Sequence, residues 1–221
     1  IVGIKNSEKK ILVLYRSYGV DDLEYLIKDH DSSYEFLFFP RNNIKKIYNK
    51  FVLKFSDKIS DNHYHTEDVN IEKARERYRN FIKKILQKIL NTNPLSAVIS
   101  FNFRYHSERE VHKACKEIDL KFIVCQKESL IIEGEKEFYK KLNASNGRFQ
   151  GHFMTVYTDY FKKLIVDSEI CEEKNVFVIG MPRADYYFKN KEKKNNHILF
   201  LIPTVRQPYG YNKSEDLFNV D

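Results

Sequence analysis

The chain has 221 residues, 42% of them hydrophobic, and carries a net charge of +7. That length buries one full core and begins a second, and no apolar run approaches the roughly 20 residues of a membrane span. Three widely spaced cysteines, Cys115, Cys125 and Cys171, are odd in number and set among apolar residues, which points to reduced core thiols of a cytosolic protein.

Strand and helix signals alternate along the chain. Residues 11–15 form a short apolar run that breaks at Arg16-Ser-Tyr-Gly19, and Asp21 and Asp22 then open a helix, where acidic side chains suit the positive end of the dipole. Residues 34–39 read as a second strand stopped by Pro40. The clearest helix covers residues 71–90: Ile71, Ala74, Tyr78, Phe81, Ile82, Ile85 and Ile89 keep a 3.6 period, with Lys73, Arg77, Lys84 and Lys88 on other faces. Residues 97–101 are a third strand ending in Asn102-Phe-Arg104. Ser107 and Glu110 then have the spacing of a capping box, and the helix they open buries Val111, Ala114, Cys115 and Ile118. Residues 120–125 are a fourth strand, broken by Gln126-Lys-Glu-Ser129. Residues 154–156 are a weaker strand, and Tyr160, Leu164 and Ile165 mark the helix that follows. Residues 176–179 close the series. This alternation predicts βαβ units, and hence an α/β fold with a Rossmann-like, doubly wound parallel sheet covered on both faces. Residues 11–15, 97–101, 120–124 and 176–179 are its expected central strands.

Two strings near the end carry most of the functional signal, Val176-Phe-Val-Ile-Gly-Met-Pro-Arg-Ala-Asp185 and His197-Ile-Leu-Phe-Leu-Ile-Pro-Thr-Val-Arg206. Each is a buried-strand run cut by Gly or Pro and followed by an arginine. A parallel strand that breaks this way delivers its next residues to the carboxyl edge of the sheet, where open α/β sheets bind ligands. Two arginine-bearing edges point to an anionic ligand in a shared cleft. The charged octet 189–196 between them reads as a solvated linker. The expected organisation is therefore a Rossmann-like domain over 1–188, a linker over 189–197, and the start of a second domain over 198–221.

No Walker loop, Gly-x-Gly-x-x-Gly, Gly-x-Ser-x-Gly elbow or Cys-x-x-Cys pair is present. His63-Tyr-His65 lies in a polar loop and reads as surface histidines rather than a metal site. The remaining candidates are polar residues at strand ends: Ser17 and Tyr18, Asn102 and Arg104, Lys127 and Glu128, Arg183 and Asp185, Thr204 and Arg206. Lys127-Glu128 is the sharpest pair, because opposite charges directly after a buried strand can tune a proton-transfer group.

The Gly180-Met-Pro-Arg-Ala-Asp185 turn, the charged linker and the strand running into Pro203-Thr-Val-Arg206 resemble the domain junction of GT-B glycosyltransferases of bacterial surface and capsular polysaccharide synthesis. They also resemble the CDP-glycerol glycerophosphotransferases of teichoic acid synthesis. Lys127-Glu128 and the Tyr157-Thr-Asp-Tyr160 stretch resemble the surface-polysaccharide branch, and the absence of a His-Gly-Thr-Pro-like string also favours it. The similarity is moderately specific over 97–206 and architectural before that.

The resemblance implies transfer of a sugar from a nucleotide-activated donor to a polysaccharide or lipid-linked acceptor, without metal or other cofactor. It implies a cytoplasmic enzyme, peripheral at the inner membrane face, with no nucleic acid partner. The chain would be the acceptor-side domain plus a stub of the donor-binding one, and inactive alone. Its first residue is Ile1 and no signal-like segment follows, which matches an internal piece of a longer protein. Glu128 is the first choice for the base that accepts the acceptor hydroxyl's proton and His152 the second. Arg183 and Arg206 are the cations near the departing diphosphate or at the cleft rim. A sugar-nucleotide epimerase of the same architecture is one alternative. A non-catalytic basic module binding nucleic acid or anionic lipid is another.

Overall fold

A computed structural model describes residues 2–3, 7, 9–15, 20–29, 33–55, 57–61, 64–127 and 136–185. The chain divides into Ile1–Lys189 and Asn190–Asp221, and all described residues belong to the first unit. The expected start of a second domain over 198–221 lies outside the described residues. So do the candidates Ser17, Tyr18, Glu128, Thr204 and Arg206.

The elements in chain order are β1 (Val2–Gly3), β2 (Lys9–Tyr15), α1 (Val20–Asp29), β3 (Tyr34–Pro40), α2 (Arg41–Val52), α3 (Val69–Leu90) and β4 (Leu95–Ser100). Then come α4 (His106–Glu117), β5 (Lys121–Cys125), α5 (Lys136–Asn146), β6 (Phe153–Val156), α6 (Asp159–Asp167) and β7 (Val176–Val178). The strands form one sheet in the order β1-β3-β2-β4-β5-β6-β7. β1 pairs antiparallel with β3, and the other six strands are all parallel. The fold is the Rossmann-like α/β architecture that the alternation predicts.

Local chemistry sets the helix boundaries. The Asp68 side chain accepts from the Asn70 amide at 2.9 Å to start α3, and Thr158 Oγ1 accepts from the Phe161 amide at 3.1 Å to start α6. α3 buries Ile71, Ala74, Tyr78, Ile82 and Leu86 at helical spacing, while the predicted face members Phe81 and Ile85 stay 40% and 37% exposed. The expected capping box does not form. α4 begins two residues earlier than that box requires, at His106, with no side-chain cap from its N-cap residue Tyr105. Ser107 is buried in its first turn, and Glu110 turns to Tyr64, Arg79 and Lys113 instead.

The sheet has two unequal faces. Leu14, Val98, Phe122, Val124, Met154 and Val156 pack under α2 to α6. Ile11, Val13, Ile99 and Phe101 pack on the other face with Phe36 and with Leu23, Val20 and Ile27 of α1. Among the described residues α1 alone covers this second face. Among the described residues, the strand expected to be central at 176–179 is instead the edge strand β7, where Phe177 and Val178 are 47% and 37% exposed. No described helix is long and apolar enough to cross a membrane.

The path from β2 through α1 to β3 runs one way along the sheet, and every later strand is added on the other side of β2. Right-handed crossovers therefore put α1 on one face and α4 and α6 on the other. The chain reverses direction between β2 and β4. In open α/β sheets the crevice at the carboxyl ends of two such strands is the ligand site.

Candidate functional site

Two buried polar clusters sit at the carboxyl edge. The first flanks the switch point. Arg41, the first residue of α2 after β3, sends Nε to the Glu108 carboxylate at 2.8 Å. Glu108 lies in the first turn of α4 after β4, is fully buried, and also accepts the hydroxyl proton of Ser100, the last residue of β4. Burial pushes its carboxyl up to about 7, against the opposing pull of the Arg41 charge and the Ser100 hydrogen bond. The Arg41 guanidinium also stacks on the Tyr105 ring, 3.6 Å from its centroid.

Beside this pair, Asp61 Oδ1 accepts from the His106 backbone amide at 2.8 Å and lies 2.5 Å from His106 Nδ1. Burial raises the Asp61 carboxyl, but the His106 hydrogen bonds and charge, together with Arg41, outweigh it and hold the group below the usual carboxylate range. An ionised Asp61 on Nδ1 keeps the proton on that nitrogen and leaves Nε2 as the basic one. That is the arrangement by which a carboxylate orients an imidazole as a general base. The imidazole packs edge-on against buried Tyr48 and stays 15% exposed.

The second cluster joins the ends of β6 and β7 to the start of α1. The Tyr157 hydroxyl donates to Asp22 Oδ2. The Arg183 amide donates to Asp22 Oδ1 at 3.2 Å, and the Arg183 guanidinium lies 3.6 Å from Oδ2. Burial and the Asp22 hydrogen bond push the Tyr157 hydroxyl well up. Gly180 has φ 69, a left-handed conformation that carries the chain off β7 toward Asp22 and that L side chains disfavour. Arg183 is thus fixed by Asp22, an acid 161 residues away, and not by Asp185, which is exposed.

The other candidates are placed as follows. Asn102 is buried, and its Oδ1 accepts from the Arg104 amide at 2.7 Å in an Asx turn. The Arg104 guanidinium lies 5.5 Å from the Phe138 ring centroid. The Lys127 amide bonds the Phe101 carbonyl at 3.4 Å, which ties the ends of β4 and β5 together. His152 lies at the other edge. It precedes β6 at the amino edge, its amide donates to the Phe122 carbonyl at 2.8 Å, and its Nδ1 accepts from the Phe122 amide at 3.0 Å. Its ring extends the β5–β6 ladder and stands apart from the carboxyl-edge groups.

Sequence reading missed His106, Asp61, Arg41, Glu108 and the role of Asp22. The one available signal is that His106 and Glu108 come within eight residues of the end of a buried strand, beside the capping-box pair Ser107 and Glu110. No cluster of three or more His, Cys, Asp or Glu able to hold a metal ion occurs among the described residues.

No known protein family profile matches the chain. A stretch of it is 31% identical, over 94 aligned residues, to the D-alanine–D-alanine ligase of Wigglesworthia glossinidia brevipalpis, covering 35% of this chain and 27% of the ligase. The chain thus spans about a quarter of the length of this curated relative, which is an enzyme.

Proposed function

We propose that this chain is the acceptor-side domain of a GT-B-type glycosyltransferase that moves a sugar from a nucleotide-activated donor to a surface-polysaccharide or lipid-linked acceptor. The supporting observation is the His106–Asp61 couple at the carboxyl edge, beside the switch point of a Rossmann-like sheet. A transferase needs a base on the acceptor side to take the attacking hydroxyl's proton as the bond to the anomeric carbon forms and the nucleoside diphosphate leaves. His106 Nε2 is that base, and Asp61 holds its tautomer and stabilises the imidazolium. Arg183, anchored by Asp22 with its side chain 36% exposed, supplies positive charge on the same edge for phosphate groups. The donor domain would complete the site, and the acceptor's lipid would keep the protein at the inner membrane face.

The test is transfer from UDP-, GDP- and CDP-linked sugars to lipid-linked acceptors by the protein that carries this domain. His106→Gln is expected to lower kcat by about a hundredfold or more with little change in KM, the usual scale of general-base loss. A kcat close to wild type removes His106 from the chemistry. No transfer from any sugar nucleotide by the folded protein overturns the transferase reading. The ligase similarity favours a second reading, ligation of D-alanine to D-alanine, and formation of that dipeptide from D-alanine and a nucleoside triphosphate that activates the carboxyl would establish it.

A further inference from the structure

A groove of about 380 Å³ lies next to the first cluster, between the 64–66 segment, the start of α3, α4 and the 146–150 turn; its Asn146 side chain donates to the Asp61 carbonyl at 2.8 Å. Its wall is strongly cationic: Arg75, Arg109, Lys113 and Arg148 line it, against one carboxylate, Glu72. Arg75 and Arg109 are only 1% and 3% exposed. Tyr64 gathers three of these charges around its ring, with the Arg75 guanidinium 3.8 Å, the Arg109 guanidinium 4.9 Å and the Lys113 ammonium 5.7 Å from its centroid.

The polar contacts account for where these cations sit, but carboxylates answer only Arg75 and Lys113. Arg75 Nη1 meets Glu72 at 2.5 Å, and its Nη2 donates to the Tyr64 carbonyl. Lys113 meets Glu110 at 2.9 Å, but Glu110 is shared with Arg79 at 2.8 Å and with the Tyr64 hydroxyl. Arg148 Nε donates to the Glu169 carbonyl at 3.2 Å. Arg109 Nη2 meets the carbonyls of Asn146, Gly147 and Arg148 at 2.6, 3.1 and 3.0 Å, which caps the end of α5. No carboxylate lies within ion-pair distance of Arg109 among the described residues, and the buried Nε–H groups of Arg75 and Arg109 have no acceptor there. A buried guanidinium whose donors end on neutral carbonyls remains an uncompensated charge in a low-dielectric site, which is costly. An anion in the groove relieves that cost for Arg109, with Arg75, Lys113 and Arg148 on the same wall to share it.

We infer that the groove is a binding site for a phosphate-class anion, free or as the phosphoryl group of a larger ligand. Planar guanidinium forks match the oxygens of phosphate, and the volume exceeds that of inorganic phosphate, leaving room for an attached organic group. The proposal stands on the groove alone and not on the transferase reading.

The experiment titrates inorganic phosphate into the 221-residue chain at constant ionic strength, with chloride as control, and reads binding by calorimetry. Vesicles of phosphatidylcholine and phosphatidylglycerol at 3:1 form a second arm. The variants are Lys113→Gln with Arg148→Ala, whose side chains are not buried, and Lys84→Gln on the exposed face of α3. Saturable phosphate binding is expected, weakened at least tenfold in the double variant and unchanged in Lys84→Gln, with circular dichroism confirming that both variants fold. Phosphate binding without vesicle binding assigns the site to soluble phosphoryl compounds, and binding of both assigns it to a lipid headgroup. Absence of saturable phosphate binding overturns the proposal. So does equal affinity in the double variant, or loss of binding in Lys84→Gln. Transferase activity enters none of these outcomes.

Discussion

Glu108 sets burial against ion pairing, and the balance is measurable. The group is fully buried, and burial moves its carboxyl from 4.5 to about 7 although Arg41 Nε lies 2.8 Å away. A folded-state pKa above the unfolded one means that the folded chain holds the proton more tightly. The stabilisation is therefore complete below about pH 4.5 and is lost as pH rises through 7. At about 1.4 kcal/mol per pH unit of separation, the interval from 4.5 to about 7 amounts to about 3 kcal/mol. Glu108→Gln keeps the shape and the hydrogen-bonding capacity but cannot titrate. Urea unfolding of both proteins between pH 5 and 8 cancels the other groups in the difference. Wild-type stability relative to Glu108→Gln should fall by about 2–3 kcal/mol over that range. A flat difference, or one that rises with pH, would refute the reasoning, because it would mean that Arg41 outweighs burial and keeps the carboxylate ionised throughout.

His112 should act at acid pH. Burial, with Arg109 and Lys113 nearby, holds its imidazole well below 6.5, between the rings of Phe122 and Phe149. The unfolded chain takes up a proton below about 6.5 that the folded chain refuses, so stability is lost as pH falls. His112→Leu should flatten that loss between pH 6.5 and 5 in urea titrations, and an unchanged slope would exclude His112 as its source. At φ 69, Gly180→Ala meets no neighbour within 4 Å and so suffers backbone strain alone. It should cost about 1 kcal/mol by chemical denaturation, and a neutral effect would mean that the turn relaxes out of the left-handed region. Tyr157→Phe removes the donor to buried Asp22 and should cost about 1–3 kcal/mol in the same assay, with a negligible loss indicating that Arg183 alone satisfies the carboxylate.

Periodic elements were readable in the sequence, and long-range placement was not. α3 was visible because Ile71, Ala74, Tyr78 and Ile82 repeat at 3.6 residues, yet the same helix buries Arg75, whose guanidinium finds Glu72 and the Tyr64 carbonyl only in three dimensions. α2 was overlooked although Ile44, Tyr48 and Val52 mark a buried face, because Asn42, Asn43, Lys45 and Lys46 dominate its opening turns. α5 was likewise overlooked, with Tyr139 and Leu142 as the apolar residues of its buried side. Val176-Phe-Val178 has the composition of a buried strand, but strand order depends on pairing partners far apart in sequence, and this strand is an edge among the described residues. Asp61 and His106 are 45 residues apart, and Asp22 and Arg183 161, so no spacing rule links them. Gly180 and Arg183 were legible because a turn signal is local.

The departures from local rules collect at the carboxyl edge. α2 has no acidic residue in its first turn and places Arg41 there, where the helix dipole disfavours a cation. Its partner Glu108 occupies the first turn of α4, where the dipole favours an anion, so the two helix starts are coupled through one buried pair. Such a pair is weak evidence for stability, since apolar residues of the same volume often serve as well or better. Its physical consequence is positional: it locks the first turn of α4, and with it His106, against the ends of β3 and β4. The Asp22 cluster does the same for Arg183 at the far end of the sheet, again through an acid in a first helical turn. A protein that holds an imidazole and a cation on one sheet edge through buried charges, where aliphatic packing would close the same gaps, is organised around that edge.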